Sequence, residues 1–234
     1  MKILSIDWDY YFPDGMPYDM NHSENHSREL ADILWSIRVG SRNLLTGKFL
    51  LDEYVPNVPH GFWGQVLGST PKVYVADSHF KIWELLEAEM FVQVTSLDAH
   101  HDCGYKKIDM AKPYVDCSNW GVVGREFCRI GRLDLVYPAW RKNSEEDFVK
   151  GKLYHPTTIS YELPALSDYD KVFICRSGAW TPPWFDDQFE EFVAGSCCEV
   201  TYLEAVEPRG VSLDQARVMR ENMQKLMTNK MGVV

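Results

Sequence analysis

The sequence predicts a three-layer α/β/α domain built on a mostly parallel sheet, and two observations carry that expectation. Short apolar, β-branched runs alternate with stretches of helical spacing along the chain, the pattern of a parallel sheet covered on both faces. Three of those runs stop abruptly at acids and histidines: Asp7 and Asp9, Asp77 and His79, and Asp98, His100 and Asp102. Ligands of such sheets gather at the carboxyl ends of the strands, so these endings mark where chemistry is expected. At 234 residues the chain fits one large domain over residues 1–234.

The elements follow in order. Residues 2–6 (KILSI) read as a buried central strand ending in Asp7-Trp8-Asp9. Residues 14–25, rich in Pro, Gly, Asn and Asp, read as a loop over the site. From Ser27 the spacing of Leu30, Ile33, Leu34 and Ile37 is helical, with Gly40 as the stop. Pro56, Pro59, Gly61, Gly64 and Gly68 make most of 41–70 loop. Residues 72–77 (KVYVAD) form a strand, Phe80 to Leu86 a helix, and the run from Phe91 a second strand, a β-loop-α-β unit expected to make parallel neighbours. A helix is expected over 122–130, then strands over 134–137, 157–163 and 171–175, with the charged stretch 141–152 at the surface. A helix over 184–193 has acids in its first turn, and 199–203 is a last strand. Ser212 and Gln215 form a capping box that opens a final helix to Met227.

The composition narrows the function. A hydrophobic share of 45% supplies an ordinary core, and a net charge of −10 argues against nucleic acid, whose phosphates need clustered Lys and Arg. Six cysteines without a C-x-x-C pair point away from a zinc knuckle and toward reduced thiols in a cytoplasmic protein. No run reaches the roughly 20 apolar residues of a membrane span. The expected partner is a small-molecule substrate, with a homo-oligomer allowed.

Asp98-Ala99-His100-His101-Asp102 is the densest chemistry in the chain. Asp98 and His100 share side-chain parity, as do Asp7 and Asp9. If the three strands are neighbours, Asp7, Asp9, His79, Asp98, His100 and Asp102 converge as four carboxylates and two imidazoles. That donor set suits two divalent ions about 3.5 Å apart. Mixed N/O ligation without thiolate favours Mn, with Zn, Fe or Co admissible. His101 has the opposite parity and is a candidate proton carrier; Asp98 and His101 are the catalytic candidates. Arg176, after the strand at 171–175, is expected to bridge to an acid, and Trp180 to Trp184 to form a rigid turn or pocket wall.

These residues carry a resemblance. Asp-Ala-His-x-Asp at a strand end resembles the signature of the arginase and deacetylase superfamily, the ureohydrolases in particular. Ser5 to Asp9 is similar to that family's S-x-D-x-D motif, Ala76-Asp77-Ser78-His79 to its G-G-D-H segment, and Ser118-Asn119 to its S-G-N segment. The resemblance implies an arginase-like fold and a dimanganese site. In it His79 and Asp102 serve one ion, His100 and Asp9 the other, and Asp98 and Asp7 bridge. It also implies hydrolysis of a C–N bond in a guanidino, amidine or amide substrate by a metal-bridging hydroxide. Ser118, Asn119 and Trp120 become the substrate-binding candidates, Trp120 standing where arginases place a proton-shuttling histidine. The D-x-D motif precedes Asp-Ala-His-x-Asp here, which calls for a permuted order of strands. Two other readings are weighed. An N-terminal strand ending in D-x-D is similar to the haloacid dehalogenase-like phosphatases, with Asp7 as nucleophile, although Tyr11 stands where they carry Thr. The other is a non-catalytic metal-binding relative.

Overall fold

The computed structural model describes residues 1–13, 35, 54–104, 108–109, 111, 114–143 and 156–230. Its centre is a parallel sheet of seven strands: β1 (Lys2–Asp7), β2 (Lys72–Ala76), β3 (Val92–Leu97), β4 (Ile130–Val136), β5 (Thr158–Ser160), β6 (Lys171–Cys175) and β7 (Val200–Tyr202). The spatial order is β5-β4-β3-β1-β6-β2-β7, and every pairing is parallel. β1 is central because five of its six residues are buried; with both faces and both edges covered, it reads as continuous apolar sequence.

Alternate residues of each strand feed two cores. Leu4, Ile6, Val73, Val75, Leu97, Val172 and Ile174 pack on one face with Phe62 and Val66 of helix α1 (Phe62–Val66). Helix α4 (Asp186–Ala194) adds Phe189, Phe192 and Val193 to that face. Ile3, Val92, Val94, Phe173 and Cys175 pack on the other. There they meet Leu85 and Leu86 of α2 (Trp83–Leu86) and Val122 and Val123 of α3 (Trp120–Glu126). The expected three-layer α/β fold is therefore present.

The order of strands differs from expectation at the site. β2 and β3 are not neighbours, because β6 and β1 lie between them. β6 begins only at Lys171, far beyond the end of β3 at Leu97, and inserts beside β1; its buried KVFIC run suits a position covered on both faces. Boundaries shift for local reasons. Phe91 has a left-handed φ of 55° and is 64% exposed, so β3 begins at Val92. The helix expected over 122–130 spans Trp120–Glu126 instead, because Cys128 turns left-handed at φ 55°, and Ile130 opens β4 rather than closing the helix. The strand expected over 157–163 is only Thr158–Ser160, and the last one is Val200–Tyr202.

Helix α1 lies in a segment expected to be loop, with Gly61 at φ 68° just before it. Pro183–Phe185 forms a 3-10 turn ahead of α4. Helix α5 (Leu213–Lys230) starts at its capping box: the Gln215 N–H donates to Ser212 Oγ (3.2 Å) and the Ser212 N–H to Gln215 Oε1 (2.7 Å). Of the charged stretch, residues 141–143 close a 3-10 turn (Ala139–Asn143); 144–152 lie outside the described residues. So do the loop at 14–25 and the helix from Ser27, except Trp35, which is helical and buried. Among the described residues no helix is long and apolar enough to cross a membrane.

Candidate metal centre

Register places the first pair of acids. β1 and β3 align Ser5 with Ser96, so two residues further on Asp7 and Asp98 leave adjacent strands on the same face. His79 comes from the far side of β6. The turn after β2 carries its ring back over that strand, where it stacks on Phe173 (5.7 Å between centroids, 15° between planes) and tilts against Trp120 (5.0 Å). The bond between His79 Nε2 and Ser5 Oγ (2.8 Å) directs the other nitrogen into the acid cluster.

His79 Nδ1 faces three carboxylate oxygens: Asp102 Oδ2 at 3.0 Å, Asp7 Oδ2 at 3.2 Å and Asp98 Oδ2 at 3.2 Å. One N–H cannot satisfy three acceptors. Nearby, His100 Nδ1 lies 2.8 Å from Asp9 Oδ2 and 3.7 Å from Asp98 Oδ1. Asp7, Asp9, Asp98 and Asp102 are all nearly inaccessible to solvent. Burying four acids this closely is costly without a compensating charge. Asp9 Oδ2 and Asp98 Oδ2 are buried and receive no well-formed hydrogen bond. Converging oxygens and nitrogens of this kind fit a cation. The buried group Asp7–His79–Asp98 could hold a metal ion, and Asp9–Asp98–His100 has the same close spacing.

The electrostatics agree. Burial, and then the charge of Asp9, push the Asp7 carboxyl up to about 6. Burial also drives Asp98 well above the carboxylate range, with Asp102 and Asp7 adding to it. At His79 burial opposes the imidazolium, but Asp102, Asp7 and Asp98 outweigh it and raise its pKa well above 6.5. His100 follows the same pattern, raised to about 10 against its burial by Asp9. Asp102 is lowered, as His79 outweighs the burial that would raise it. Protons here supply positive charge of the kind a bound cation would supply.

Backbone turns hold the clustered acids. The Asp9 N–H donates to Asp7 Oδ1 (3.1 Å), the Ala99 N–H to Asp9 Oδ1 (3.2 Å) and the His100 N–H to Asp98 Oδ1 (2.6 Å). Asp102 sits at a left-handed φ of 47°, where its carbonyl accepts the Gly121 N–H (2.9 Å). A Cβ on Gly121 would meet that same oxygen at 2.9 Å, so glycine is required there.

The remaining candidates are placed as follows. His101 is buried and accepts the Cys103 N–H at Nδ1 (3.0 Å), which puts the neutral ring's proton on Nε2. Ser118 Oγ donates to Asp116 Oδ1 (2.8 Å). Asn119 accepts the Asp116 N–H and donates to the Tyr114 carbonyl; both side chains thus shape the turn before α3. The Trp120 indole N–H donates to Asp102 Oδ2 (2.7 Å), a contact with one of the clustered acids.

Residues after β6, outside the candidate set, also belong to the site. Ser177 Oγ donates to Asp7 Oδ2 (2.9 Å). Arg176 pairs with Asp77 (2.7 Å), as expected of it, so Asp77 is turned to this ion pair. A Cβ at Gly178 would lie 2.5 Å from Asp77 Oδ1, so a larger residue there displaces the carboxylate from this ion pair. A small cavity over Asp9 and His100 is walled by Pro13, Tyr54, Trp140 and Trp180. The available signal for Ser177 was its place just past a buried apolar strand. Comparison of the chain with family models, curated proteins and solved structures finds no match, so its chemistry is argued from these side chains.

Proposed function

We propose that this protein is a hydrolase of C–N bonds in guanidino, amidine or amide groups, working with two divalent ions, manganese first among them. The observation that supports it is the sharing of Asp98 between two close ligand groups, Asp7–His79–Asp98 and Asp9–Asp98–His100. Asp102, 3.0 Å from His79, completes the first group. When bound, two such ions polarise the scissile group and lower the pKa of water toward neutrality. The protein's part is to hold four carboxylates and two imidazoles in register and to keep bulk water out through the aromatic wall of Tyr54, Trp140 and Trp180. His101, one residue from two ligands, is the candidate to carry protons through its Nε2.

The test is metal content joined to a substrate screen. Purified protein loaded with Mn(II) should retain about two ions per chain, the number a binuclear centre holds, and should release ammonia, urea or a free amine from some guanidino, amidine or acylamino compound. Retention of less than one ion overturns the reading. Two ions with no turnover across the screen favour a non-catalytic metal-binding relative. Phosphate-ester hydrolysis lost in Asp7→Asn but kept in His100→Ala points to the phosphatase reading.

A further inference from the structure

We propose that Trp120 and Ser177 are positioning residues of the buried ligand group, two neutral donors that fix which carboxylate oxygens of Asp102 and Asp7 face the His79 imidazole. The inference rests on the metal centre proposed above. The Trp120 indole N–H reaches Asp102 Oδ2 at 2.7 Å and Ser177 Oγ reaches Asp7 Oδ2 at 2.9 Å. These are the same two oxygens that lie 3.0 and 3.2 Å from His79 Nδ1. The terminal torsion of an aspartate is broad and nearly two-fold. A carboxylate in a crowded acid cluster therefore needs an outside donor to hold one oxygen in one direction. The donors carry no charge of their own, so they orient without cancelling the negative charge that attracts a cation.

Both donors are built in rigidly. Trp120 is 1% exposed, opens α3, and packs its ring 5.0 Å from His79. Ser177 is fully buried with a left-handed φ of 55°, a conformation that costs a non-glycine residue and persists only where the surroundings impose it. Its N–H donates to Cys175 Sγ (3.2 Å), and its carbonyl accepts the N–H groups of Trp180 (2.7 Å) and Thr181 (2.9 Å). The Gly178 carbonyl next to it accepts from Arg209 and from the Trp35 indole. Asp7 and Asp98 each have Oδ1 held by the backbone N–H two residues on (3.1 and 2.6 Å), and Ser177 adds a side-chain donor at the second oxygen of Asp7.

The experiment is Mn(II) titration of the full chain, by calorimetry and by the EPR signal of free Mn(II), for wild type, Trp120→Phe, Ser177→Ala and Ser177→Gly. Ser177→Gly loses the hydroxyl while removing the cost of the left-handed backbone, which separates donor from strain. Trp63→Phe is the control, since it deletes a comparable indole N–H bond, to the Phe192 carbonyl (2.9 Å), away from the ligands. Mn(II) affinity is expected to fall about 10–100-fold in the three site variants, the usual effect of removing a partner of a metal ligand, and to stay at the wild-type value in Trp63→Phe. The metal-induced rise in thermal midpoint should shrink in parallel. Wild-type affinity in Trp120→Phe and both Ser177 variants overturns the inference alone. An equal loss in Trp63→Phe also overturns it, because the effect is then general weakening of the fold. A wild-type protein that binds no Mn(II) overturns the metal centre and the inference together.

Discussion

Asp98 Oδ2 lies 3.2 Å from His79 Nδ1 although the two residues leave strands separated by both β1 and β6. The other oxygen of Asp98 looks toward His100, so one carboxylate joins both imidazoles of the site. Asp98→Ala should therefore cost more metal than any other single change, leaving fewer than one Mn(II) per chain. His100→Ala should leave about one of the two ions of a binuclear centre. Elemental analysis after Mn(II) loading and desalting reads both numbers.

Titration of the cluster gives the metal-free protein a characteristic pH dependence. Asp7 has a folded pKa of about 6 against 3.8, and His100 about 10 against 6.5. Both bind protons more tightly when folded, so their stabilising effect is complete below the unfolded values and is lost as pH rises through the folded ones. Asp102, lowered, acts oppositely and only in acid. Thermal midpoints of chelated protein should fall from pH 7 to pH 10, and Mn(II) should abolish most of that fall by replacing the protons.

Trp8 anchors the core beneath the site. Its ring lies within 5.1–6.2 Å of Tyr11, Phe12, Phe189 and Phe192, and it is 1% exposed. Trp8→Ala should destabilise by about 3–5 kcal/mol, measured as a lower urea midpoint with an unchanged m-value.

Arg209 is buried against Asp186, which also contacts Arg176. Arg209→Met removes the guanidinium from a buried carboxylate, which keeps Arg176 and the backbone N–H of residue 209, and should cost about 3–5 kcal/mol. Asp186→Asn in the same background should recover part of that loss, which a double-mutant cycle measures.

Much of the sheet was legible because central parallel strands are apolar on both faces: KILSI, KVYVA and KVFIC announce themselves without help from their neighbours. The cluster of acids and histidines was legible because strand ends concentrate such residues. Strand order was not, since β1 and β6 are compatible with several partners and nothing local says that β6 will pass between β1 and β2. Trp120 illustrates the same limit within the site. Its position in the chain suggested contact with substrate and gave no sign that its N–H goes to Asp102, a choice made by the packing of α3 against β4. Ser177 gave only a serine after a strand; its hydroxyl acquires meaning from Asp7, 170 residues earlier.

The position of β6 also sets an order of assembly. Among the described residues β2 pairs with β6 and β7 alone, so on a ribosome the strand that delivers His79 waits for these partners until residues 171–175 have emerged. Asp7 and Asp98 can meet much earlier through β1 and β3. The nascent chain therefore passes through a stage in which paired acids await their imidazole and the Ser177 hydroxyl, and the cluster closes only after β6 has been made.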